Sequence, residues 1–305
     1  MSTNPARSVR NPLNTKGVRK RPNQCVRLIS VFALLLAGGL SAGAADIVMP
    51  RPSLENGFRL LYNLDFVSAN KEFTSWEQVH PEDPQGPAGE AAGLLFSEFN
   101  RLGVLEAQFY IDDKAFAGRK KLGPDPNVRD RFNAALDRAE AEAKSRLARD
   151  PKDRDALFAM TLASGLRADY AALIEKRNLA SLHYTKTADD WAGQLLAVDP
   201  NCYDAQLAIG INNYIVGSLA GPVRWILRLD GVAGDKQEGI RQLQLTADRG
   251  HYLAPFARIM LAIAYVREKN PAQAREILQS LRGEFPGNPL FGREIAELDA
   301  RHTAR

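Results

Sequence analysis

A chain of 305 residues with 40 Lys or Arg against 36 Asp or Glu carries a formal charge of +4, but the basic excess lies in one place. Residues 1–44 hold seven Lys or Arg and no acid, so the remaining 261 residues carry 33 bases against 36 acids, a charge of −3. That sign removes the main sequence argument for nucleic-acid binding, and Cys202, the single Cys beyond the leader, excludes a disulfide framework within one exported chain.

The leader reads as a secretory signal. Its basic start is followed by Leu28 to Leu40, apolar except for Ser30, and then by Ala42-Gly43-Ala44, the small residues a signal peptidase needs. Cleavage after Ala44 would start the mature protein at Ala45 and deliver it to the periplasm or cell envelope of a bacterium. The apolar run is shorter than the roughly 17 to 25 residues of a spanning helix, which argues against a permanent anchor. No Cys stands directly after it as the acylated residue of a lipoprotein signal, so lipidation is not expected.

Beyond the leader the chain divides into residues 45–126 and 127–305. A helical-hairpin unit fits residues 50–83, with Gly57, Leu60, Ala69, Phe73, Trp76 and Pro81 at its key positions. Glu82 to Gly89, with two Pro and two Gly, reads as a turn, Glu90 to Leu102 as a helix, and Gly118 to Pro126 as a second break. Phe132, Leu136, Ala139, Ala143 and Leu147 then recur at helical steps, opposite a mixed-charge face expected to be solvated.

Leu157, Met160, Ala163 and Leu166 continue the period. Arg167, Asp169, Tyr170, Glu175, Lys176 and Arg177 follow on what the spacing predicts to be a lengthened helix, where a network between layers is the expectation. A partner helix runs from about Ser181 to Val198 and stops at Asp199-Pro200. Asn212 and Asn213, followed by Tyr214, interrupt the apolar run Leu207 to Val216. They are placed to hold a peptide backbone, or to cap the segment that follows.

That segment, 218–235, is an insertion. Pro222 starts and Gly231 stops a short helix in which Arg224 and Arg228 form one stripe and Val223, Trp225, Ile226, Leu227 and Leu229 cover the rest. The expectation is that Trp225, Ile226 and Leu227 fold back into a groove between helices, since burying one large apolar side chain contributes roughly 1.5 to 3 kcal/mol. The alternative is an exposed finger suited to a membrane surface or a partner helix. Asp235 with Glu238 reads as a capping box for the next helix, in which Ile240, Leu243 and Ala247 face inward.

The last unit is the clearest. Leu261, Ala262, Tyr265, Ala274, Leu278, Leu281 and Pro286 fall at offsets 7, 8, 11, 20, 24, 27 and 32 of a 34-residue unit spanning residues 255–288. This spacing resembles the tetratricopeptide repeat (TPR), a helix-turn-helix of about 34 residues whose hairpins stack because one alone cannot cover its apolar face. Asn270-Pro271 and Asn288-Pro289 supply an N-cap followed by Pro at the first helical position. The implied fold is all-α, a TPR-like right-handed helical-hairpin solenoid with insertions, built from about eleven to thirteen helices.

Within it, Gly210-Ile211-Asn212-Asn213, Ser218-Leu219, Pro222, Leu229, Gly231, Gly234-Asp235, Gly239, Leu243 and Ala247 resemble a segment of the tetratricopeptide repeat protein 39 and inclusion-body clearance family, over residues 205–249. The resemblance implies a non-enzymatic protein linked to lipid storage and mitochondrial outer-membrane biology, from which a secretory signal departs.

No catalytic, cofactor or metal residue is assigned. His80, His183, His251 and His302 show no pair at metal-ligand spacing, and there is no Walker loop, G-x-G-x-x-G or G-x-S-x-G. Glu82-Asp83 and Asp189-Asp190 read as solvated caps. The sequence therefore points to a secreted or periplasmic, non-enzymatic scaffold holding a polypeptide partner in its concave groove, without cofactor or nucleic acid. The partner-binding candidates are Arg167, Tyr170, Asn212, Asn213, Tyr214, Arg224 and Trp225. A membrane-surface adaptor using the insertion, and an enzyme whose site is not recognisable from sequence, are the alternatives.

Overall fold

Short polar side chains start most of the helices. Ser53, Asp65, Asp125, Asp153, Asp235 and Asn270 each accept a hydrogen bond from a backbone N–H two or three residues on, satisfying one of the donors a helix start leaves open. A computed structural model describes residues 51–106, 121–219 and 233–303 and, inside the insertion, residues 221, 224, 225 and 228. The signal segment, its cleavage site and Gly118 lie outside the described residues.

Among the described residues there are eleven α-helices and no strand. They are α1 (Leu54–Tyr62), α2 (Phe66–Val79), α3 (Gln85–Arg101), α4 (Pro126–Arg149), α5 (Arg154–Asp169), α6 (Asn178–Val198), α7 (Ala205–Ser218), α8 (Lys236–Arg249), α9 (Ala254–Arg267), α10 (Pro271–Glu284) and α11 (Pro289–Thr303). A five-residue π-helical turn, Tyr170–Ile174, extends α5. Each helix packs on the next in sequence, and α1–α3, α3–α5 and α5–α7 also touch. Five hairpins, α1/α2 to α9/α10, therefore stack with their odd-numbered helices in one layer, and α11 covers the last hairpin. This is a TPR-like helical solenoid.

The residues of the C-terminal repeat pattern do what that pattern requires. Ala274 and Leu281 are fully buried, and Ala262 and Leu278 nearly so, around Phe285 and Phe291, while Leu261 is buried in the main core. In the first hairpin Phe73 is fully buried, its ring seated where a Cβ on Gly57 of α1 or Gly89 of α3 would have to stand. The α7–α8 crossing rests on Gly210 and Gly239: a Cβ on Gly239 would meet the Tyr214 nitrogen at 2.5 Å and the Gly210 oxygen at 2.8 Å. Several residues of the 205–249 resemblance are thus those that let two backbones approach. Arg154 to Ile174 is long and apolar enough to span a bilayer, yet it lies mostly buried at the centre of the stack.

The first hairpin also returns to the last layers. The Tyr62 hydroxyl donates to the Tyr252 carbonyl at 2.8 Å, Asn288 Nδ2 donates to the Tyr62 carbonyl at 2.9 Å, and the Gly287 N–H donates to Asn63 Oδ1 at 3.0 Å. Phe58 stacks on Tyr252 at 5.0 Å and Phe96 of α3 meets Phe256 of α9 edge-on at 5.6 Å. Aromatic side chains therefore occupy the space between the ends of the odd-helix layer.

Four expectations change. The Pro-Gly segment after Glu82 is a turn only as far as Pro84; α3 already begins at Gln85, because Pro87 falls in the first turn, where its missing N–H would have had no partner. Asp189 is not a cap: it lies inside α6, where burial, with Asp190 beside it, pushes its carboxyl up. The polar face of α4 is not wholly solvated, since Arg131 and Arg138 bind Glu90 of α3, and Arg138 also binds Glu77 of α2. Trp225 does not fold back. It is 64 % exposed, on the same helical face as Gly221, Arg224 and Arg228, and the run is held by Arg224 Nη1 donating to the Gly217 carbonyl at 3.2 Å. Ile226 and Leu227 lie outside the described residues.

Candidate functional site

The turns that enter the odd-numbered helices converge on a polar cleft of about 270 Å³. Gln85 comes from the start of α3, and Arg154, Asp155 and Phe158 come from the start of α5. Asn201, Cys202, Tyr203 and Asp204 precede α7, while Arg249, His251 and Tyr252 precede α9. Stacked hairpins place equivalent helix ends side by side, so residues far apart in sequence share one wall.

Asp204 builds the frame. Its carboxylate is buried and accepts the N–H groups of His251, Tyr252 and Leu253 at 2.8, 2.9 and 3.2 Å, supplying from the start of α7 an acceptor for the start of α9. Burial pushes this carboxyl up while the three donors pull it down. A Cβ on Gly250 would stand 2.5 Å from Asp204 Oδ1, so the turn closes only with glycine there.

The walls are held by pairs. Arg154 ion-pairs with Asp199, and Arg249 lies 5.3 Å over the Tyr203 ring while its Nη1 donates to the Tyr203 hydroxyl at 3.0 Å. His251 packs on Tyr252 and stands 3.8 Å from Glu55 at the start of α1. Burial and the nearby Asp83 push the Asp155 carboxyl up, and burial pushes the Cys202 thiol up. A raised thiol is a poor nucleophile. No group of three His, Cys, Asp or Glu among the described residues is arranged to hold a metal ion. The cleft offers donors, acceptors and aromatic surface.

The residues singled out from sequence lie elsewhere. Asn213 ties α7 to the start of α8, its Nδ2 donating to Gln242 Oε1 at 2.9 Å and its Oδ1 accepting the Asp235 N–H at 3.2 Å, which is the capping role weighed for it. The expected capping box is therefore half formed: Asp235 accepts the Glu238 N–H, but Glu238 turns to Arg241 and Asn213 takes the place of its returning arm. Asn212 and Tyr214 are buried in α7.

Arg167 binds Glu140 at 2.6 Å and Asp137 at 2.8 Å on α4, the network between layers that was expected. Tyr170 stacks on Phe132 at 5.1 Å, and burial pushes its hydroxyl up to about 12. Of the seven, Arg224 and Trp225 face solvent.

The cleft was missed because its residue types are ordinary for turns. The available signal was positional: Gln85, Asn201 and His251 each follow a Pro or Gly stop and lead into an odd-numbered helix.

The sequential helix pairing defines a TPR-like solenoid of helical hairpins. Neither family models nor curated proteins match the chain, so the resemblance of residues 205–249 rests on its own residues. Among solved structures, a thermophilic TPR protein from Thermus thermophilus is similar at 16 % identity, covering 81 % of this chain and 98 % of its own, with a TM-score of 0.41. That distant likeness adds nothing to the helix packing described above.

Proposed function

We propose that this protein is an exported, non-enzymatic scaffold that holds a short stretch of polypeptide in the cleft at the starts of its odd-numbered helices. The observation that carries this reading is the lining: Gln85, Asn201, Arg154 and Arg249 bring donors, Asp155 brings an acceptor, and Phe158, Tyr203 and Tyr252 bring aromatic surface. A peptide backbone needs donors and acceptors, and its side chains need apolar walls. The cleft lies just below the roughly 300 to 1,000 Å³ of small-molecule pockets, which suits one or two residues of a longer segment. Aromatic packing between the ends of the stack fills part of the groove, which favours this edge for the segment.

A photo-crosslinking side chain at position 201 tests the reading in cells. Polypeptide adducts are expected there and not from a control at exposed Gln237 on α8; equal labelling at both positions would remove the cleft from consideration. Export is tested separately by fractionation and N-terminal sequencing of the mature protein, with a start at Ala45 expected. A cytoplasmic protein that keeps residues 1–44 would overturn export while leaving the cleft in place.

A further inference from the structure

Gly221, Arg224, Trp225 and Arg228 are helical and spaced by three, one and three residues, which puts them on a single face. All four are exposed. Arg224 Nη1 donates to the Gly217 carbonyl in the last turn of α7, which ties residue 224 to the solenoid, while Trp225 is largely exposed. Isolated exposed apolar residues are ordinary, but an indole left mostly in water on a face that also carries two arginines recovers little of the burial a folded chain would give it.

The occupant must supply negative charge and an amphipathic boundary layer together. A second copy brought face to face would oppose Arg with Arg. An anionic bilayer offers both properties over a continuous surface, with headgroups for Arg224 and Arg228 and an interfacial zone in which a Trp ring settles. The chain beyond the leader is net negative, so such a surface repels the body as a whole and the contact is confined to the patch. We infer that the face formed by Arg224, Trp225 and Arg228 docks peripherally on anionic lipid. The contact is shallow and reversible, because one aromatic ring and two charges do not make a permanent anchor. It is independent of the polypeptide cleft.

Trp225 itself reports the outcome. The full chain carries three Trp, so Trp76→Phe with Trp191→Phe leaves Trp225 as its single indole. Vesicles of phosphatidylcholine alone, or mixed with phosphatidylglycerol, both with brominated acyl chains, are added. The basic leader also favours anionic vesicles, so sedimentation alone does not read this face, whereas Trp225 emission does.

On the mixed vesicles the emission is expected to shift to the blue and be quenched by the brominated chains, with no change on the neutral ones. Arg228→Gln, which leaves the Arg224–Gly217 hydrogen bond in place, is expected to weaken this response, and Arg224→Gln with Arg228→Gln to weaken it about 10-fold or more. Should the Phe variant melt below the wild type, the difference between wild type and Trp225→Phe spectra gives the same readout. Unchanged Trp225 emission on vesicles that the chain binds, or a response indifferent to the two Arg, would overturn the inference. A blue shift without vesicles that grows with protein concentration would assign the face to a second copy instead.

Discussion

The Tyr62 hydroxyl and the Tyr252 carbonyl, 190 residues apart, meet at 2.8 Å and join the first hairpin to the turn before α9. A linear stack of hairpins has no such contact, since each layer touches only its neighbours. Here the two ends meet, with Phe58 stacked on Tyr252 and Tyr62 packed on Phe285. Closure sets the walls of the cleft, because Tyr252 and His251 belong to the same turn.

Tyr62→Phe removes the donor and leaves the Tyr252 carbonyl without it. The expected loss is about 1 to 3 kcal/mol, read as a lower urea midpoint with an unchanged slope. An unchanged midpoint would mean that the ends are held by the aromatic contacts alone.

Asp204 tests the frame. Asp204→Ala strips three N–H groups of their acceptor, and a loss of about 3 to 5 kcal/mol is expected, as for breaking a buried charged interaction. Asp204→Asn keeps one acceptor oxygen and is expected to lose less. Equal melting of the two variants would show that the carboxylate charge, and not its acceptor geometry, holds the turn.

Two glycines in helices should respond with opposite sign. Gly193 of α6 has open space around its Cβ position, so Gly193→Ala is expected to stabilise by about 0.5 to 1 kcal/mol through helix propensity. Gly239→Ala makes the same propensity gain but drives a methyl group into the backbone of α7, so a net loss of about 1 to 3 kcal/mol is expected by calorimetry. A stable Gly239→Ala variant would contradict the close α7–α8 crossing.

Asp169, at the junction with the π-helical turn, gives a pH dependence. Burial pushes its carboxyl up to about 7, so the folded state holds a proton that the unfolded chain has already released above the ordinary carboxylate range. Its contribution is therefore full at acid pH and is lost as pH rises from about 4 to 7. Asp169→Asn is expected to flatten that part of the stability profile and to stabilise the protein at pH 8 by on the order of 1 to 3 kcal/mol. A profile with the same slope in the variant would place the titration on another group.

The repeat was legible where one residue type answers one need. Ala274 between paired helices, Leu278 and Leu281 toward a neighbour, and Asn270 before Pro271 each fix a local choice, and the structure makes all of them. The site was not legible, because Gln85, Arg154, Asn201 and Arg249 are brought together only by stacking and none has a sequence signature. Trp225 misled for a related reason: hydrophobicity predicts burial only when a groove stands opposite, and the helical phase of the insertion turns this ring outward with its arginines.

Filling the cleft tests the central claim most directly. Peptides selected on the full chain from a random display library are titrated against wild type and against Asn201→Trp, which puts an indole into a space of about 270 Å³ while touching no buried helix contact. Selected peptides that lose about 10-fold or more in affinity for Asn201→Trp, at an unchanged melting temperature, are the predicted result. A library that yields no binder, or binders indifferent to the filled cleft, would contradict a polypeptide-holding scaffold at this site.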